Sequence, residues 1–69
     1  MKRLQLIRFI QEHGCVLDRE GNNHSVFRNP SNGHRSTVAR HSEIKDIMAN
    51  IICNQLGIPK IKVVNKPSK

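Results

Sequence analysis

Tryptophan and tyrosine are absent, and phenylalanine occurs only at Phe9 and Phe27 in a chain of 69 residues. The aromatic platforms on which single-strand binders stack successive bases are therefore nearly missing, and any affinity for nucleic acid has to rest on charge and shape. Acidic residues are also scarce: 5 Asp+Glu stand against 12 Lys+Arg, a net charge of +7. Such an excess implies a polyanionic partner, because Lys and Arg release counterions when they neutralise phosphates, but it does not separate RNA from DNA. The two cysteines, Cys15 and Cys53, have neither a CxxC partner nor a histidine at zinc spacing, and His13, His24, His34 and His41 are dispersed. No metal site and no cofactor are expected. The N-terminal apolar stretch is broken by Arg3, Gln5 and Arg8, so it does not read as a secretory signal, and a reduced, cytoplasmic setting is the expectation. No stretch approaches the length of a membrane span. A chain this short forms one domain with a small core and has no room for a large enclosed cavity. Catalysis would have to take place on an open face, which suits a polymer better than a small metabolite.

What is present organises into five elements. From Lys2 to His13, Leu6, Phe9, Ile10 and His13 share one side of a helix, with Leu4 as the exception, and Gly14 ends it. Three short extended runs follow, Cys15 to Arg19, His24 to Asn29 and Arg35 to Arg40, separated by segments rich in Gly, Asn, Pro and Ser. Asn22 and Asn23 suit turn positions, at least one of them with positive φ. Leu17, Phe27 and Val38 are the candidates for the covered face of an antiparallel meander. Ser42 reads as the N-cap of a second helix, in which Ile44, Ile47, Met48, Ile51, Ile52 and Leu56 recur at helical spacing as a core face, with Gly57 and Pro59 as the stop. The expected fold is α+β, in the order α-β-β-β-α, with both helices on one face of a three-stranded antiparallel sheet. Residues 1–59 form the domain and residues 60–69 a basic tail, in which an added strand through Ile61 to Val64 and disorder are both open.

If Phe27 points inward, strand alternation puts His24, Val26 and Arg28 on the open face. A histidine there has two readings. It is either a plain strand residue or the proton-transfer group of a phosphodiester cleavage, since imidazole both takes and gives a proton near neutral pH. In the second reading neutral His24 accepts the proton of an RNA 2′-hydroxyl, and Arg28, Arg40 or Lys45 holds the phosphate and offsets the charge that develops on it. His41 and His34 are candidates for the acid that protonates the leaving oxygen. Gly21 reads as a turn glycine, for no phosphate-loop pattern is present.

Several stretches together carry a resemblance: His13-Gly14 closing the first helix, Val16-Leu17-Asp18-Arg19-Glu20, Gly21-Asn22-Asn23-His24-Ser25-Val26-Phe27, Asn29-Pro30, Asn32-Gly33, Ala39-Arg40-His41-Ser42-Glu43-Ile44, and Leu56-Gly57-Ile58-Pro59. In this order, over about residues 2 to 59, the chain resembles the HicA (YcfA-like) toxins, small ribonucleases of bacterial type II toxin-antitoxin systems. The resemblance implies a double-stranded-RNA-binding-domain-like fold, cleavage of messenger RNA without the ribosome, and control by a HicB-type antitoxin, with contact to DNA only through the antitoxin complex. It also implies His24 as the catalytic histidine; Arg28, Arg40, Lys45 and His41 are, from their charge and placement, the candidate RNA-binding residues. The family's usual Gly-Ser-His-His is altered here: Asn22 and Asn23 take the Gly-Ser places and Ser25 that of the second histidine. Cys15 replaces a common tryptophan, and Ala39 a common proline. Two rivals remain, a non-catalytic double-stranded-RNA-binding module of the same fold and a protein that only engages another protein.

Overall fold

The computed structural model describes residues 1–61. Its elements are α1 (Arg3–Glu12), β1 (Val16–Glu20), β2 (His24–Arg28), β3 (Arg35–Ala39) and α2 (Asp46–Leu56). The three strands form one antiparallel sheet in the order β1-β2-β3, and the expected α-β-β-β-α arrangement, consistent with a double-stranded-RNA-binding-domain-like fold, is present. The added strand through Ile61 to Val64 falls largely outside the described residues.

Alternation on β2 and β3 decides the two faces. Ser25, Phe27, Ser36 and Val38 are buried, Phe27 at 3% exposure, whereas His24, Arg35 and Thr37 are exposed. Leu6 and Ile10 of α1 join Phe27, Val38, Ala49, Ile52, Cys53 and Leu56 in a single cluster, so both helices cover the same side of the sheet. Burial of this kind supplies most of the stability of so small a domain, at about 1.5–3 kcal/mol for each large aliphatic side chain.

Each helix ends where the sequence allows a left-handed residue. Gly14 has φ 91°, its N–H donates to Gln11 O at 3.0 Å, and the Cys15 N–H donates to Ile10 O at 3.0 Å. Gly57, at φ 72°, repeats the pattern, with Gly57 N–H to Asn54 O and Ile58 N–H to Cys53 O. The end of α2 is further tied to the β2–β3 connection. Asn29 and Asn32 both donate from Nδ2 to the Leu56 carbonyl, at 2.8 and 3.1 Å. Asn29 Oδ1 and Asn32 Oδ1 accept from the backbone N–H groups of Ser31 and His34, which fixes the turn.

The structure departs from the expected packing in four places. Leu17 faces Phe27 across the β1–β2 pair, but it is 46% exposed, because β1 is an edge strand that the helices do not reach. Ser42 does not cap α2. Its carbonyl accepts from Arg3 N–H at 2.9 Å and Ile44 N–H donates to Met1 O at 2.7 Å, so residues around the Lys2–Glu43 bridge are held extended and the helix begins only after Lys45. On α2 itself the core side is Ala49, Ile52, Cys53 and Leu56, while Ile47, Met48 and Ile51 are exposed, Ile47 at 71%. Neither Asn22 nor Asn23 has positive φ. The Asn23 carbonyl instead accepts from Arg40 N–H at 3.3 Å and prolongs the β2–β3 pairing.

Candidate active site

His24 is the first residue of β2 and stands exposed on the open face. Its neighbours across the strands are small. Ala39 is its partner on β3, and on the other side Gly21 closes the β1–β2 connection by donating its N–H to His24 O at 2.8 Å. A Cβ at Gly21 would lie 3.2 Å from that oxygen. The imidazole is thus flanked by a methyl group and a glycine, which leaves it accessible to a bulky polymer.

Below this end of the sheet runs a polar chain that the sequence does not disclose. Ser25, 1% exposed, faces the helices because His24 faces away. Its hydroxyl accepts from Arg3 Nη2 at 2.9 Å and donates to Glu20 Oε1 at 3.1 Å. Arg3 Nε donates to Ala39 O at 2.8 Å, at the residue opposite His24. Glu20 in turn pairs with Arg40, whose Nη2 also donates to Gly21 O at 2.9 Å. Side chains from α1, β1, β2 and the end of β3 therefore converge within a few residues of the histidine.

A bulge in β1 makes this possible. The pairing shifts between Leu17, opposite Phe27, and Arg19, opposite Val26, so Asp18 is an extra residue. Without it Arg19 would take the covered side and Glu20 the open one. With it, Asp18 and Arg19 both belong to the open face, and Glu20 lies opposite Ser25 on the covered face. Asp18 reaches two arginines, Arg28 Nε at 3.6 Å and Arg35 Nε at 3.3 Å.

The candidate residues divide by position. His24, Arg40 and His41 share one end of the sheet, and Arg40 is held by Glu20 rather than projecting freely. Arg28 is on the face of His24 but four residues along β2, about 13 Å at the rise of a strand, and is paired with Asp18. Lys45 is exposed at the start of α2, beyond the Lys2–Glu43 bridge. His34 lies in the β2–β3 connection at the opposite end of the sheet from His24, too far to protonate an oxygen leaving from the same phosphate. Sequence reasoning misses Arg3, Asp18, Arg19, Glu20 and Ser25. Their roles depend on the bulge and on contacts between distant elements, for which one sequence carries no signal.

Fold and site together define a small basic α+β domain with one sheet face uncovered and a histidine on it. The chain matches the model of the family described as HicA toxin of bacterial toxin-antitoxin over residues 4–58, and it belongs to that family, as a toxin of a toxin-antitoxin system with an antitoxin as its partner. Neither a curated protein nor a solved structure matches the chain. No helix among the described residues is long and apolar enough to cross a membrane.

Proposed function

We propose that the chain is an endoribonuclease that cleaves messenger RNA without a metal ion or the ribosome, with His24 as general base. The observation that carries this reading is the exposure of His24 on the open face between Ala39 and Gly21, above the Arg3–Ser25–Glu20–Arg40 chain. The imidazole removes the proton of a 2′-hydroxyl, and the oxygen attacks the adjacent phosphorus in line. A 2′,3′-cyclic phosphate forms and the bond to the 5′-oxygen breaks. That oxygen needs a proton, for which His41 is the imidazole on the same end of the sheet. Arg40, already oriented by Glu20 and the Gly21 carbonyl, offsets charge on the phosphate oxygens. DNA lacks the 2′-hydroxyl and is not a substrate.

The domain, residues 1–59, carries this chemistry, followed by the basic tail. The antitoxin is of HicB type and blocks the toxin by covering the open face, since substrate approaches there. Acidic side chains on it complement the cations. The test is His24→Ala. Purified protein cuts RNA in EDTA, and the variant loses cleavage while its circular dichroism and RNA affinity stay near those of the parent. A variant that cuts as fast as the parent refutes the assignment. Salt-sensitive RNA binding without cleavage by either protein supports a non-catalytic binding module.

A further inference from the structure

Arg28 and Arg35 are direct cross-strand partners on the open face. Two like charges in that position repel each other, and their placement calls for a counter-charge. Asp18 supplies only one carboxylate for two guanidinium groups, so the cluster keeps a surplus positive charge. Its contacts, 3.3 and 3.6 Å, are long for charge-assisted hydrogen bonds, which run at about 2.7–2.9 Å. Both contacts are made through Nε rather than through the paired terminal nitrogens, the fork that grips phosphate. Arg35 is 63% exposed, and beside it a groove lined by Val26, His34, Arg35, Thr37 and Gln55 opens along β3. Between this cluster and His24 the face carries Val26 and Thr37, with Arg19 opposite Val26 on β1. The intervening distance of about 13 Å is more than one nucleotide spans.

We propose that Arg28 and Arg35 form a second phosphate-binding site on the open face, which holds a backbone phosphate of the same RNA strand whose scissile phosphate lies at His24. Asp18 is the displaceable counter-ion that keeps the two arginines apart and oriented until RNA arrives. The proposal rests on the ribonuclease reading of His24 for the course of the strand, and its test separates the two.

Binding is measured by fluorescence polarisation in the His24→Ala background, so that no probe is cleaved, with a labelled RNA dinucleotide and a labelled dodecanucleotide. Arg35→Ala is expected to weaken the dodecanucleotide roughly tenfold and to leave the dinucleotide unchanged. The slope of log affinity against log salt should flatten by about 0.7 for each phosphate that is no longer neutralised. Asp18→Asn, which keeps the size of the side chain and removes its charge, is expected to tighten the dodecanucleotide severalfold. Equal binding of the dodecanucleotide by parent and Arg35→Ala overturns the proposal. So does an equal loss on both probes, or an Asp18→Asn variant that binds no tighter while its circular dichroism matches the parent. Loss of antitoxin binding by Arg35→Ala with RNA binding intact overturns it in favour of a protein-docking surface. If the parent cuts no RNA while the length-dependent binding holds, the phosphate site stands and the ribonuclease reading falls.

Discussion

Replacing Ser25 with alanine removes one oxygen from the molecule and disconnects two charged residues beneath His24. In the parent that hydroxyl accepts from Arg3 and donates to Glu20, at 2.9 and 3.1 Å. Hydrogen bonds to charged groups are worth about 1.5–3 kcal/mol each when both partners are shielded from water. Here the shielding is partial. Glu20 is half exposed and recovers a water, and Arg3 retains the Ala39 carbonyl at 2.8 Å. A total near 2 kcal/mol is therefore expected, roughly below the sum of two full bonds. In urea, with a slope of about 1 kcal/mol per molar for a chain of this size, the midpoint should fall by about 2 M. Pairing Ser25→Ala with Arg3→Met in a double-mutant cycle should give a coupling above about 0.5 kcal/mol, because the two residues touch. Glu20 released from Ser25 also holds Arg40 less firmly, so RNA cleavage should lose kcat more than KM. A midpoint that stays in place, or strictly additive effects in the cycle, would refute the idea that this chain is a structural unit.

Asn29→Ala should destabilise the domain by about 1–3 kcal/mol, because it strips one donor from the Leu56 carbonyl and breaks the turn contact to Ser31; a thermal melt measures this, and an unchanged midpoint would contradict it. Cys15 and Cys53 are both buried, and burial raises each thiol above its ordinary value of 9.0; for Cys53 the Ile61 backbone lowers it and Cys15 raises it further, both more weakly than burial. The folded state thus favours the protonated thiols. Their contribution to stability is whole below pH 9 and declines as the pH rises beyond it, when the unfolded chain ionises first. Urea midpoints from about pH 8 upward follow this with no tyrosine to confuse them, and a midpoint that rises with pH would contradict it. Native protein should react slowly with a thiol reagent and unfolded protein fast.

The order of elements is legible in the sequence because each depends on local signals: apolar spacing in α1, Gly14 and Gly57 as stops, Asn and Gly in the turns. The orientation of His24 is legible too, since it follows from Phe27 by parity alone. The core of α2 is harder. Its packed side mixes the small Ala49 and Cys53 with the large Ile52 and Leu56, while the equally apolar Ile47, Met48 and Ile51 turn outward. Neither size nor hydrophobicity alone separates the two stripes. The pairing of Asp18 with Arg28 and of Glu20 with Arg40 cannot be read, because both pairs depend on how β1 is threaded past β2.

Asp18 is the one residue of β1 that the ladder does not count. Its deletion would leave Leu17 opposite Phe27, Arg19 opposite Val26 and Glu20 opposite Ser25, with every remaining side chain on its present face. The gain or loss of a single residue at this point can thus change the net charge of the open face by one unit with no shift of register downstream. The open face of this toxin carries an electrostatic dial, and turning it need not disturb the sheet that bears it.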